Sequence, residues 1–241
     1  MIIDLQNQPL MFDFTATYTD QYQLAMSQVY FKNGKRNTKA VFDYYFRKIP
    51  YGSGFAIFAG LEDLLEIITN LRFSKEDIQF LKQYDFEDDF LEYLENFKFS
   101  GNIYSVQEGD VVFPTRPVLQ VEANLIEAQI IETILLNLLN FQTLIATKAS
   151  RMRLVSRERT LLDFGLRRAQ GPGGYYATRA AMIGGFNGTS NVIAGRDLDI
   201  PVSGTMAHSF VQSYDDELTA FREFARGRPK ACVFLVDTYD T

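Results

Sequence analysis

The stretch TLLDFGLRRAQGPGGYYATRAAMIGG, residues 160–185, decides the fold class of this chain. It begins with a short apolar run, continues through a polar loop and ends in a segment typical of a helix. The pattern continues along the chain with a predicted short strand, a further strand, a helix and a last strand, at 190–195, 200–205, 215–227 and 231–237. Buried strands that alternate with helices predict a parallel sheet with right-handed crossovers.

This parallel unit is too short to close a barrel. An eight-stranded α/β barrel takes about 250 residues, and the segment 160–241 supplies only roughly a third of that length. The sequence stops directly after the predicted strand at 231–237, with no helix to cover it. Because both faces of a parallel sheet need burial, we expect an incomplete TIM-like parallel β/α barrel that belongs to a longer protein.

The part before residue 125 predicts a separate α+β domain. Thr19 can cap a helix at 20–31, the segment 38–49 has the composition of a strand, and 57–72 has helical spacing. Ser74 and Asp77 form a near capping box before another helix. Short alternating runs at 102–123 predict antiparallel strands around the turn Glu108-Gly109-Asp110.

A long helical pattern connects the two parts. It runs from about Asn124 to Ser156, and its apolar stretch is interrupted by polar residues, so we do not expect it to span a bilayer. The sequence therefore predicts an N-terminal α+β domain at 1–124, a connecting helix at 125–159 and the first strands and helices of a barrel at 160–241.

Composition narrows the function classes. The net charge of -6 gives no global basic field, so nothing points to a nucleic-acid partner. The acidic segment 85–95 has helical apolar spacing and reads as a solvated helix face. The single cysteine, Cys232, excludes an internal disulfide and is expected to be a buried thiol. Without an evident signal peptide or membrane segment, a cytoplasmic location is the expectation.

Basic residues outnumber acidic ones between 148 and 179, a segment called the basic stretch below. Its arginines up to residue 159 lie near the end of the predicted long helix, where the helix dipole favours cations. Arg167 and Arg168 lie in the loop after a predicted strand, where active groups collect in α/β folds. They could clamp a carboxylate or a phosphate, or they could pair with acids such as Asp163 or Asp237; the residues alone leave both open.

The only histidine, His208, lies in VSGTMAHSF at 202–210, among small hydroxyl residues that suit a phosphate or another oxyanion. A structural histidine is the alternative. The segment GGFNGTSN at 184–191 is glycine-rich and has hydroxyls, but a tight helix-to-strand turn explains it equally well. One histidine and one remote cysteine make no credible metal site, and no GxSxG elbow for a serine hydrolase occurs.

Five motifs in order resemble the nicotinate phosphoribosyltransferase family. They are TDQYQL at 19–24, FGLRRAQGP at 164–172, GGFNGTSN at 184–191, IPVSGTMAHSF at 200–210 and VDTYDT at 236–241. The resemblance implies the type II phosphoribosyltransferase fold, of which this chain would hold the N-terminal domain and up to about half of the barrel. It also implies synthesis of nicotinate mononucleotide and pyrophosphate from nicotinate and phosphoribosyl pyrophosphate, coupled to ATP hydrolysis in NAD biosynthesis.

The resemblance also implies roles for particular residues. His208 matches the histidine that is phosphorylated, while Tyr22 and Thr205 match residues that contact nicotinate. Without the resemblance, Tyr22 would read as helix core packing. The remaining implied contacts are to substrate or phosphate groups, and they fall on Arg167, Arg168, Ser190 and Ser209.

The family further implies Mg²⁺ that arrives with ATP and phosphoribosyl pyrophosphate, and a homodimer. Two alternatives stay open: a nicotinamide-type phosphoribosyltransferase, and an inactive fragment that only binds or scaffolds. Residues 1–241 in isolation are expected to be inactive, because the family's remaining phosphate-binding loops lie beyond them.

Overall fold

The computed structural model describes residues 14–240. The first part holds helix α1 and a three-stranded antiparallel sheet in which β5 lies between β1 and β3. A second, two-stranded antiparallel sheet pairs β2 with β4. The elements in chain order are α1 (Gln21–Lys32), β1 (Lys39–Tyr44), β2 (Ala56–Ile57), α2 (Leu61–Asn70), α3 (Lys75–Leu81), α4 (Asp88–Glu95), β3 (Asn102–Ser105), β4 (Val111–Val112) and β5 (Leu119–Asn124).

The second part follows a 32-residue helix, α5 (Leu125–Ser156). Two short strands lie parallel, β6 with β7, and a parallel bridge joins Thr189 to Val202 on the far side of β7. The elements are β6 (Leu162–Asp163), a 3-10 turn at Leu166–Arg168, α6 (Gly173–Ile183), β7 (Gly188–Thr189), α7 (Val192–Asp197), α8 (His208–Val211) and α9 (Glu217–Gly227). The start of a parallel β/α unit is therefore confirmed.

Helix α5 is the centre of the fold. It packs against α1, α2, β2 and β5 of the first part and against α6 of the second, so it joins the two parts. Ile126, Ile130, Ile134 and Leu139 are almost completely buried. By length and composition alone α5 could cross a membrane, but 56% of its most apolar window is buried inside the protein, as in a core helix.

Capping shows where the sequence determines the local structure. Asp77 N–H donates to Ser74 Oγ (3.0 Å) and Ser74 N–H donates to Asp77 Oδ2 (2.8 Å), so the predicted capping box is confirmed. The prediction that Thr19 caps α1 is wrong, because Asp20 holds that position. Both side chains instead make hydrogen bonds with Thr133 of α5, a tertiary contact that replaces the local one.

Two predicted strands are wrong. Residues 190–195 contain the start of α7, because the Asn191 side chain accepts from the Ala194 N–H and caps that helix. The strand lies earlier, at β7. No strand forms at 231–237, and Val233, Phe234 and Val236 keep about half of their surface exposed. A parallel strand needs a neighbouring backbone, which hydropathy does not reveal.

Two smaller expectations are also corrected. Residues 57–60 are not helical, since Ile57 belongs to β2 and Gly60 adopts a left-handed backbone (φ 101°) just before α2. Cys232 is partly exposed and not buried, because it lies in the segment that forms no strand.

Candidate functional site

The carboxyl ends of β6 and β7 lie side by side, and each carries predicted site residues. Leu162 is the register partner of Gly188 and Asp163 that of Thr189. The arginine turn, defined as Leu166–Arg168, follows β6, and Ser190 follows β7. Active groups in α/β folds lie at this end of the strands. The structure therefore brings Arg167, Arg168 and Ser190 to one edge of the sheet.

The arginine turn presents its cations to solvent. The Arg168 N–H donates to Gly165 O (2.7 Å), which closes the 3-10 turn, and the side chains of Arg167 and Arg168 are both exposed. Neither arginine forms an ion pair with Asp163 or Asp237 within residues 14–240. The two ion pairs suggested by the sequence are therefore not formed among the described residues, and a ligand contact of either arginine stays a prediction.

A groove of about 1210 Å³ opens beside this edge, between α5, β6 and α6. Most of its lining is apolar, and Arg168 and Lys148 give it positive charge. Of the predicted site residues within residues 14–240, Arg168 alone lines it. The groove therefore extends the site from the strand ends toward the connecting helix.

Asp163, which the sequence suggested only as an ion-pair partner of the arginines, forms hydrogen bonds with several elements at the strand ends. Its Oδ1 accepts from the Gly165 N–H (2.8 Å), and its Oδ2 accepts from Thr178 Oγ1 (2.7 Å) and Thr189 Oγ1 (3.2 Å). Its backbone oxygen accepts from the Ser190 N–H (2.9 Å). The position of an acid at the end of a strand was the available signal.

The glycines of GGFNGTSN serve a turn. Gly184 is the C-cap of α6, Gly185 has a φ of 100°, and a Cβ at Gly188 would lie 2.8 Å from Pro201 O. The side chain of Ser190 is partly exposed beyond β7. The turn explanation of this motif is therefore confirmed, and a phosphate contact of Ser190 stays a prediction.

His208 begins α8, a single helical turn, and its imidazole is exposed. Its Nδ1 lies 3.4 Å from Thr238 Oγ1, within the last predicted motif. Thr205 and Ser209 are exposed nearby in sequence, and Thr205 Oγ1 donates to Met206 O (2.8 Å). The imidazole is thus accessible to a ligand. A histidine with a purely structural role would not need this exposure.

Tyr22 lies apart from these residues. It is on α1, which packs against α5, and 53% of its surface is exposed, so core packing does not explain it. Gln23 Nε2 donates to its hydroxyl (3.2 Å). The described residues give no contact between Tyr22 and the strand-end residues or His208.

The role of Arg179 is not evident from the sequence, where this residue is one of the cations of the basic stretch. Arg179 lies on α6 with its side chain buried against Glu62, Asp63 and Glu108. Its Nη1 donates to Glu108 Oε1 (2.9 Å) and its Nη2 to Glu108 Oε2 (2.6 Å), a bidentate pair. This group, called the Arg179 cluster, ties α6 to the N-terminal domain.

Burial and the charge of Arg179 shift the pKa values of two carboxyl groups in the Arg179 cluster. Burial acts to raise the pKa of the Glu108 carboxyl, but the hydrogen bonds and charge of Arg179 outweigh it and hold that pKa below its usual range. Burial raises the pKa of Asp63, and Arg179 offsets this only in part. Glu108 also accepts from the N–H groups of Gly60 and Leu61, so it supports the start of α2.

The described residues contain no group of three or more histidine, cysteine, aspartate or glutamate side chains placed to hold a metal.

Comparisons with known proteins show which family this chain resembles. Residues 17–140 match the model described as the nicotinate phosphoribosyltransferase N-terminal domain, and residues 160–241 match that of the nicotinate phosphoribosyltransferase family.

Among curated proteins, the chain is similar to the nicotinate phosphoribosyltransferase of Bacillus subtilis (48% identity, covering 95% of this chain and 47% of that protein). It is also similar to that of Caenorhabditis elegans (48% identity, 81% and 36%). The chain spans about half the length of the Bacillus protein and 36% of the length of the Caenorhabditis protein.

Among solved structures, human nicotinic acid phosphoribosyltransferase matches with a TM-score of 0.77 and 40% identity, over 81% of this chain and 40% of that chain. The nicotinate-nucleotide pyrophosphorylase of Pyrococcus furiosus has the same TM-score at 24% identity, over 93% and 51%, and supports the fold alone. These matches confirm an N-terminal domain followed by part of a type II phosphoribosyltransferase barrel. The chain belongs to the nicotinate phosphoribosyltransferase family.

Proposed function

We propose that the protein to which this chain belongs joins nicotinate to phosphoribosyl pyrophosphate, forming nicotinate mononucleotide and pyrophosphate for NAD biosynthesis. Family membership supports the reaction class. The observation that carries the proposal is the meeting of Arg167, Arg168 and Ser190 at adjacent strand ends, with both guanidinium groups exposed.

The reaction requires an anionic leaving group to be stabilised. The nicotinate nitrogen forms a bond to the ribose carbon while the bond from that carbon to the pyrophosphate oxygen breaks. Charge therefore builds up on pyrophosphate, and fixed cations at a strand end stabilise it. Arg167 and Arg168 supply such cations, and the Ser190 hydroxyl adds a hydrogen-bond donor to phosphate oxygens.

We propose that ATP hydrolysis is coupled through His208. A neutral imidazole nitrogen attacks the terminal phosphorus of ATP, the bond to the ADP oxygen breaks, and the phosphoryl group stays on the imidazole. Water later cleaves that nitrogen–phosphorus bond and releases phosphate. The exposure of His208 supports this step, and the hydroxyls of Thr205 and Ser209 adjoin it in sequence.

Tyr22 and Thr205 are proposed to contact nicotinate. Tyr22 is exposed, and its hydroxyl is hydrogen-bonded to Gln23 and to none of the other candidate residues in the described chain, an arrangement that suits a site completed by a second copy. A homodimer is therefore part of the proposal, as is a cytoplasmic location.

Mg²⁺ is proposed to enter with the two polyphosphate substrates. Such an ion would be held largely by phosphate oxygens and water, because Mg²⁺ usually binds proteins together with the phosphates of its substrates. When bound, the ion neutralises phosphate charge. The arginine turn would hold and orient phosphate oxygens through its guanidinium donors.

The test is an assay of the full-length protein with nicotinate and with nicotinamide, each with phosphoribosyl pyrophosphate, with and without ATP. We expect nicotinate mononucleotide and pyrophosphate, formed further toward completion when ATP is present. Turnover of nicotinamide alone would favour the nicotinamide-type alternative. Binding without turnover of either would favour a scaffold.

A further inference from the structure

We infer that Asp163 is a positioning residue that holds the arginine turn and Ser190 in one fixed arrangement, and that it does so by accepting hydrogen bonds and not by its charge. The inference rests on the proposed function, because it explains how two phosphate-binding positions on different strands are kept together. Asp163 itself is not proposed to touch a substrate.

The first connection fixes the arginine turn. Asp163 Oδ1 accepts from the Gly165 N–H at 2.8 Å, and Gly165 O then accepts from the Arg168 N–H at 2.7 Å. Two successive hydrogen bonds thus run from the carboxylate to the backbone of Arg168. A shift of the carboxylate therefore moves the backbone from which the Arg168 side chain extends.

The second connection fixes the neighbouring strand end. The Ser190 N–H donates to Asp163 O at 2.9 Å, and Thr189 Oγ1 donates to Asp163 Oδ2 at 3.2 Å. Thr178 of α6 donates to the same oxygen at 2.7 Å. One residue therefore joins β6, β7, α6 and the arginine turn.

Close packing leaves little freedom around this residue. A Cβ added at Gly165 would lie 2.9 Å from Asp163 Oδ1, and one added at Gly174 would lie 2.7 Å from Leu166 Cδ1. The first glycine lets the carboxylate approach the turn, and the second lets α6 approach it from the other side. Both contacts lie at the start of the arginine turn.

The contacts of Asp163 indicate that hydrogen bonding is sufficient for its role. All of its named donors are neutral, and it forms no ion pair with either arginine in the described chain. The hydroxyls also have second acceptors: Thr178 Oγ1 lies 3.1 Å from Gly174 O, and Thr189 Oγ1 lies 3.2 Å from Asp163 O. An asparagine amide can therefore donate to these hydroxyls while its oxygen still accepts from Gly165.

The experiment compares Asp163→Asn with Asp163→Ala in the full-length protein. For Asn we expect both Michaelis constants to stay within about threefold of the wild type, because every hydrogen bond has a substitute. For Ala we expect the KM for phosphoribosyl pyrophosphate to rise by about tenfold or more, with a much smaller change for nicotinate, because the phosphate-binding residues lose their common support.

Gly165→Ala provides a second route if Asp163→Ala does not fold. Its new methyl group displaces the carboxylate without changing it, so the same selective rise in the KM for phosphoribosyl pyrophosphate is expected. A loss in Asp163→Asn equal to that in a folded Asp163→Ala would overturn the inference in favour of a charge role. Unchanged kinetics in both Asp163→Ala and Gly165→Ala would overturn it altogether.

Amide hydrogen exchange separates this inference from the proposed function. In the full-length protein, the amides of Gly165 and Arg168 should be protected in the wild type and in Asp163→Asn, and should exchange faster in Gly165→Ala and in a folded Asp163→Ala. An inactive wild type with this exchange pattern would sink the proposed function and leave the hydrogen-bonding role standing. Equal exchange in all variants would contradict the role whether or not the protein is active.

Discussion

The Arg179 cluster and the arginine turn use the same side chain in opposite ways. Arg179 is buried and contacts three carboxylates, whereas Arg167 and Arg168 are exposed and pair with neither Asp163 nor Asp237 in the described chain. All three arginines lie within the same basic stretch of sequence. The difference shows that surroundings supplied by distant segments decide whether an arginine stabilises the fold or is available to bind a ligand.

The largest effect is expected for Arg179→Met. Removing one partner of a buried ion pair leaves uncompensated charge, so the free energy of unfolding should fall by about 3–5 kcal/mol. Chemical denaturation of the full-length protein measures this. The matched control, Arg168→Met, should change it by less than about 0.5 kcal/mol. Similar losses in the two variants would remove the distinction between the cluster and the turn.

A smaller effect is expected for Glu108→Gln, and it should depend on pH. The pKa of Glu108 is lowered in the folded state, so its contribution to stability is present above its unfolded pKa and disappears as pH falls through the folded value. At pH 7 the variant should be less stable by about 1–3 kcal/mol. Urea unfolding from pH 7 downward should show the difference narrowing below about pH 4.3. A constant difference would contradict the assigned charge pairing.

Arg168→Lys should change binding without changing stability. Lysine keeps the charge but loses the planar pair of donors, so the KM for phosphoribosyl pyrophosphate should rise by about tenfold. Steady-state kinetics measures this, with thermal unfolding as the check on folding. A normal KM in Arg168→Lys and also in Arg168→Ala would show that this side chain does not bind substrate.

The smallest effect is expected for Arg157, an arginine of the basic stretch that has a positive φ. Arg157, the C-cap of α5, has a φ of 53° and a ψ of -120°, a backbone conformation that favours glycine. Arg157→Gly should therefore raise the free energy of unfolding by up to about 1 kcal/mol. Chemical denaturation measures this change. A lower free energy of unfolding in Arg157→Gly than in the wild type would show that the Arg157 side chain stabilises the fold.

Features that depend on neighbouring residues were predictable from the sequence. The Ser74–Asp77 capping box and helix α5 formed where the pattern predicted them, because their signals are contained in the segments themselves. The pairing of the strand ends followed from the alternation of strands and helices. That alternation placed Arg167 and Arg168 directly after a strand, whereas Ser190 was expected at the start of a strand and instead follows β7.

Features that depend on distant partners were not predictable. Segment 231–237 is apolar but forms no strand, and the capping side chain of Asn191 makes a helix where a strand was expected. Arg179 could not be separated from its neighbours, because its carboxylates come from α2 and from the turn before β4. Asp163 acts through hydrogen bonds to three elements, which no local pattern encodes.

The proposed phosphorylation of His208, which would couple ATP hydrolysis to synthesis, can be tested directly. The direct measurement is incubation of the full-length protein with ATP labelled on its terminal phosphate, followed by mapping of acid-labile label. We expect label on His208 in the wild type and none in a folded His208→Ala variant. An unlabelled wild type that makes nicotinate mononucleotide with ATP, or equal label in His208→Ala, would contradict it.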